Sequence, residues 1–104
     1  MYKIMVVDDE PQVRVALSQI INIIGRPGEF YVQEQAANGR IALEKLRERQ
    51  VDIVLSDISM PVMTGLGLAD HLMREYPHIV TIFLSGYGDF SLAQKSFQYR
   101  VFDY

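Results

Sequence analysis

Ile4-Met5-Val6-Val7-Asp8-Asp9-Glu10-Pro11 runs four apolar residues straight into a pair of aspartates, then into a proline. The run does not alternate between apolar and polar residues, so it reads as a strand covered on both faces, the kind found inside a parallel sheet. Two further stretches repeat the pattern. Ile53-Val54-Leu55 leads through Ser56 to Asp57, and Ile79 to Leu84 leads to Ser85-Gly86. Phe30 to Gln35 is more polar and reads as a strand at an edge.

Helical spacing fills the intervals. Pro11 suits a first helical turn, and Val13, Leu17, Ile20, Ile21 and Ile24 recur on one face until Gly25 and Pro27-Gly28 stop the helix. Asn38-Gly39 leads into a second helix with Ile41, Ala42, Leu43 and Leu46. Leu68, Ala69, Leu72 and Met73 mark a third, ended by Pro77, and Leu92, Ala93, Ser96 and Phe97 a fourth over Phe90 to Tyr99. Val101-Phe102-Asp103-Tyr104 reads as a strand just beginning. Strands alternating with single helices imply right-handed crossovers and an open, doubly wound parallel sheet. In such sheets ligands sit at the carboxyl ends of the strands, where these acids and the Ser85 hydroxyl fall.

The 104 residues suit one domain, 1–104, with no room for a second. A net charge of −3 gives no electrostatic reason for direct nucleic-acid binding by this chain. The absence of cysteine excludes disulfides and thiolate metal sites. No apolar run reaches membrane-spanning length, and acids at Asp8 and Asp9 come too early for a signal peptide. A soluble, cytoplasmic protein is expected, with no membrane partner.

Asp8 and Asp9 follow the first strand, and Asp57 ends the third. If those strands are neighbours, three carboxylates converge. At ~5 Å and an effective dielectric of ~20, each like-charge pair costs on the order of 3 kcal/mol, which a bound cation would offset. Oxygen ligands without His or Cys favour Mg²⁺, with Mn²⁺ as a substitute. Taken singly, either acid would be a solvated loop residue; it is the grouping that argues for a site. Ser85-Gly86 alone is an ordinary turn, and Pro61 and Gly65 shape the loop after Asp57. His71 and His78 have no partner acids or cysteines at ligand spacing and read as surface residues.

Val6-Val7-Asp8-Asp9-Glu10-Pro11, Asp57-Ile58-Ser59-Met60-Pro61, Gly65 eight residues after Asp57, and Leu84-Ser85-Gly86-Tyr87 together resemble the receiver domains of two-component response regulators. The resemblance runs from Lys3 to Tyr104. It implies a flavodoxin-like five-stranded sheet of order 2-1-3-4-5, which periodicity alone leaves open. It implies that Asp57 accepts a phosphoryl group from the phosphohistidine of a sensor histidine kinase. Asp9 would bind Mg²⁺ directly, Asp8 mainly through water, and Asp57 and the backbone carbonyl of Ser59 would complete the protein's ligands. Ser85 would be the switch hydroxyl and Tyr104 the aromatic switch partner.

The stretches Leu84 to Phe90 and Val101 to Tyr104 look most like receivers joined to AraC-type helix-turn-helix output domains. Members of the family carry a lysine three residues beyond the position of Tyr104, then a proline and a fifth helix. The expectation is therefore a chain truncated in or just after strand 5, with helix 5 and the output domain outside it. Without that helix, apolar surface on helix 1 and the sheet should face water, making the chain marginal or oligomeric, a homodimer included. Two rival readings are a degenerate receiver used only for docking and an aspartate-nucleophile phosphohydrolase. Such hydrolases carry a second acid two residues after the nucleophile, where this chain has Ser59.

Overall fold

The computed structural model describes residues 1–25, 28–58 and 60–84, and the backbone of 101–103. In chain order its elements are β1 (Tyr2–Val7), α1 (Pro11–Ile24), β2 (Phe30–Ala36), α2 (Gly39–Leu46), β3 (Ile53–Asp57), α3 (Gly65–Glu75) and β4 (Val80–Leu84). The strands lie parallel in the order β2-β1-β3-β4, as expected for this part of the sheet. Beyond β4 the backbone of Val101–Asp103 (β5) runs parallel to it, opposite Thr81 and Ile82. The expected fourth helix, Phe90 to Tyr99, falls outside the described residues. No helix among the described residues is long and apolar enough to cross a membrane.

Local chemistry starts each helix. Pro11 occupies the first turn of α1, where its missing N–H costs nothing. Asn38 caps α2 by accepting from the Ile41 N–H at 2.9 Å, and the Thr64 hydroxyl caps α3 by accepting from the Gly67 N–H at 3.1 Å. After α1 the chain turns through Gly28, whose φ of 129° a side chain would resist.

The two faces of the sheet are unequal. On one, Met5, Val7 and Val54 pack with Ala42 and Leu46 of α2 and with Leu68 and Leu72 of α3. Phe83, fully enclosed with Ile58 and Ala69, extends this core. Each of the larger side chains among these contributes roughly 1.5–3 kcal/mol relative to exposure. On the other face lies α1, and there only Ser18 is buried within the helix, its hydroxyl donating to the Arg14 carbonyl at 2.8 Å. Ile4, Ile53, Leu55 and Ile82 of the sheet, with Ile21 and Phe30, line a groove on that side. The face expected to pack carries Val13, Ile20 and Ile24, and these are exposed.

Edge strand β2 slips by one residue against β1. Ile4 pairs with Val32 and Met5 with Glu34, leaving Gln33 as the bulge. Asn22 of α1 accepts the Val32 N–H at 2.8 Å, and Glu34 pairs with Arg49 at 2.9 Å and with Lys45 at 3.5 Å. Helices on both faces thus pin the edge strand where its ladder is irregular.

Candidate metal and phosphoryl site

The β1–β3 register decides where the acids meet. Val7 lies opposite Ser56, so the residues that follow them, Asp8 and Asp57, emerge side by side at the carboxyl edge. Asp8, Asp9 and Asp57 each offer a carboxylate oxygen, and these oxygens lie within 4.8 Å of one another. Asp8 is buried, Asp57 half-buried and Asp9 exposed. The graded burial leaves one side of the group open to water and to a ligand.

Asp8 is held from several directions. Its N–H donates to the Ala36 carbonyl at 3.1 Å, continuing the β1–β2 ladder past Val7. Its Oδ1 accepts the Glu10 N–H at 2.8 Å, which folds the chain into α1. The Arg14 guanidinium donates to the Asp8 carbonyl at 2.9 Å rather than to the carboxylate. A cation therefore braces the loop without neutralising the acid aimed at the site. Arg14 was not legible as a site residue; its one signal is that it is the sole charge on α1. Ser56 similarly anchors the backbone at the end of β3, its hydroxyl donating to the Asp57 carbonyl at 2.8 Å.

The donor set fits Mg²⁺. It holds only oxygen, it carries up to three negative charges, and its exposed side leaves room for the waters that Mg²⁺ retains. Ser59, Ser85 and Tyr104, the other expected site residues, lie outside the described residues. His71 sits on α3, and His78 precedes β4 at the opposite end of the sheet, lining a cleft of about 310 Å³ with Arg47, Arg49 and Tyr76. Neither histidine belongs to the acid group.

The loop from Asp57 to α3 stores strain. Val62 has φ 71°, a left-handed backbone that a β-branched residue resists, and its side chain is 74% exposed. Little packing is lost if the side chain is removed. Val62→Gly should therefore stabilise the fold by about 1 kcal/mol, relief of strain outweighing the entropy of the added glycine. Urea unfolding with an unchanged slope checks this; a lower midpoint would show that the valine side chain is needed.

The family model for the response regulator receiver domain matches residues 4–104. The transcriptional regulatory protein YesN of Bacillus subtilis is 34% identical over 111 residues, which is 100% of this chain and 28% of that protein. This chain thus spans less than a third of that relative's length. The receiver domain of AraT, a response regulator from Geobacillus stearothermophilus, superposes with a TM-score of 0.88 at 32% identity, covering 99% of this chain and 78% of that one. TrrA of Thermotoga maritima, solved in complex with Mg²⁺ and BeF, superposes at 0.83 with 30% identity, covering 100% and 84%.

Proposed function

Because the chain belongs to the response regulator receiver family, we propose that it is a phospho-accepting switch, with Asp57 as acceptor and Asp8 and Asp9 as the acids that bring Mg²⁺ to it. The observation that carries this reading is the meeting of three carboxylates within 4.8 Å at the ends of two adjacent parallel strands. Receiver domains are signalling modules of two-component systems, and phosphorylation with Mg²⁺ is general to them. The finer assignments rest on the match between this chain's residues and the family's motifs.

In the proposed reaction a carboxylate oxygen of Asp57 attacks the phosphorus of a sensor kinase's phosphohistidine. The new P–O bond forms as the P–N bond breaks, and the imidazole leaves. Bound Mg²⁺ supplies charge neutralisation and alignment, which phosphoryl transfer needs more than covalent assistance. Asp9, exposed, is placed to ligate directly. Asp8, buried and already accepting the Glu10 N–H, is suited to act through a water. By the family's motif, the Ser59 carbonyl would complete the protein's share of the ligands.

Ser85 would then follow the new phosphoryl oxygens and Tyr104 would follow Ser85, biasing a two-state surface read by an output domain. We take Val101–Asp103 as the fifth strand, giving the order 2-1-3-4-5. The output is proposed to be a DNA-binding regulator of AraC type, in keeping with the transcriptional role in the name of YesN. The setting is the cytoplasm.

The test uses acetyl phosphate as donor and intact mass as readout. The chain should gain one phosphoryl group in Mg²⁺ or Mn²⁺ and none in EDTA. Asp9→Ala should slow the gain by about two orders of magnitude, the several kcal/mol that a well-placed cation supplies. His71→Ala should leave it unchanged. Phosphorylation that is undiminished in Asp9→Ala or in EDTA would refute the reading.

A further inference from the structure

Of the three acids, Asp9 has the least to hold it. Its carboxylate is exposed, and no hydrogen bond among the described residues fixes it. Its direction is set by the peptide groups on either side, and a closed circuit holds these. The Glu10 N–H donates to Asp8 Oδ1 at 2.8 Å, the Arg14 N–H to the Glu10 carbonyl at 3.0 Å, and the Arg14 guanidinium to the Asp8 carbonyl at 2.9 Å. Three hydrogen bonds thus join Asp8, Glu10 and Arg14 in a ring that includes Asp9. The ring is anchored on both sides. The Asp8 N–H donates to the Ala36 carbonyl at 3.1 Å, and the buried Ser18 hydroxyl donates to the Arg14 carbonyl at 2.8 Å.

The residue that closes the ring stands where charge alone would not put it. Arg14 is the fourth residue of α1, near the amino end, where the helix dipole disfavours a cation, and no acid in the first turn offsets it. A guanidinium one residue away from two candidate ligands also repels a divalent ion held by them. On both counts an acidic or neutral residue would serve better. What arginine adds is a long, half-buried, planar donor that reaches back six residues to the loop.

We infer that Arg14 is a positioning residue for the divalent cation: by holding the carbonyl of the Asp8–Asp9 peptide, it presents the Asp9 carboxylate to the ion. The inference rests on the proposed reading of the three acids as the Mg²⁺ site. Arg14 acts through Asp9 rather than by touching the ion, and its effect has the opposite sign to that of its charge. Removing the charge alone would tighten Mg²⁺ binding, whereas removing the brace weakens it. A role confined to stabilising α1 would leave the affinity of the folded chain unchanged.

Mn²⁺ alone serves as the probe, its binding followed by the paramagnetic resonance of the free ion without any phosphoryl donor. Arg14→Met keeps the apolar stem and removes charge and donors; Arg14→Lys keeps the charge and a donor on a stem of similar reach. Measured well below each variant's melting temperature, Arg14→Met should bind Mn²⁺ about tenfold more weakly. That is the low end of the ~10–100-fold lost when a group holding a metal ligand from behind is removed. Arg14→Lys should recover most of the affinity. The Asp9 amide nitrogen shares its peptide group with the Asp8 carbonyl, so its NMR shift should move in Arg14→Met and return in Arg14→Lys. Arg14→Gln, neutral and too short to close the ring, carries the same expectation as Arg14→Met and decides the matter if that variant does not fold. Asp9→Ala separates the two readings. If it binds Mn²⁺ as the parent chain does, the acids are not the site and this inference falls with them. If Asp9→Ala loses the ion while folded Arg14→Met or Arg14→Gln binds it as tightly as the parent, or more tightly, the acids stand and the role of Arg14 is overturned.

Discussion

Asp57→Asn will leave the folded chain unable to take up a phosphoryl group from acetyl phosphate under any Mg²⁺ concentration. The amide has the size and shape of the carboxylate, so the end of β3 keeps its register against Val7 and Leu84. It lacks the anionic oxygen that must form the new bond to phosphorus, and it contributes a weaker ligand for a divalent cation. No neighbouring acid inherits the role in this reading. Asp8 is buried with one oxygen already accepting the Glu10 N–H, and the proposal assigns Asp9 to the cation. The same substitution should raise stability in metal-free buffer. Three carboxylates with oxygens within 4.8 Å repel one another, by on the order of 3 kcal/mol per charged pair before solvent screening, and the amide removes two of the three pairs. Intact mass and urea unfolding in EDTA read the two effects separately. A variant that still gains a phosphate, or one that is less stable without metal, would place the acceptor or the repulsion elsewhere.

Legibility in the sequence followed the physics of each element. Met5, Val6, Val7 and Val54 are covered on both sides of the sheet, and such strands announce themselves as unbroken apolar runs. Asn38 and Pro11 were readable as helix starts because capping is a local matter. The meeting of Asp8 with Asp57 was less local: it depends on β1 and β3 being neighbours. Periodicity does not fix neighbours, and the family resemblance alone suggested the order. The spacing of α1 was plain, yet spacing cannot say which way a helix turns, and Ser18 lies inward where Ile20 was expected to share the packed face. The bulge at Gln33 is flanked by contacts to Asn22 of α1 and, through Glu34, to Lys45 of α2 and Arg49 just after it, so no window of sequence contains it. The bracing of Asp8 by Arg14 spans six residues and is local enough to have been sought, but an arginine on a helix ordinarily faces water.

Gly65→Ala should cripple both the fold and the site, although glycine sits at a helix start where alanine is normally welcome. The reason is proximity. Gly65 opens α3 with its N–H donating to the Ile58 carbonyl at 2.7 Å, which draws the helix tightly under the end of β3. A Cβ at this position would lie 2.3 Å from the Asp57 carbonyl oxygen and 2.9 Å from the Ile58 Cα. Both are backbone atoms, so no rotamer change relieves the overlap. Either α3 moves outward, opening the core at Leu68 and Leu72, or the Asp57 backbone moves and carries its carboxylate away from Asp8 and Asp9. Overpacking of this kind costs about 3 kcal/mol, which lowers the melting temperature of a domain this size by roughly 12–24 °C. Affinity for Mg²⁺ should fall in the surviving folded fraction, because the methyl presses on the residue that ends in the site. Calorimetry with a Mn²⁺ titration on the same sample tests both consequences. Gly67→Ala, two residues on, is the control: its Cβ would approach only the side chains of Met63, at 3.3 Å, and Thr64, at 3.5 Å. If Gly65→Ala melts no lower than Gly67→Ala and binds Mn²⁺ as tightly as the parent chain, the close approach of α3 to Asp57 is not what holds the acceptor in place.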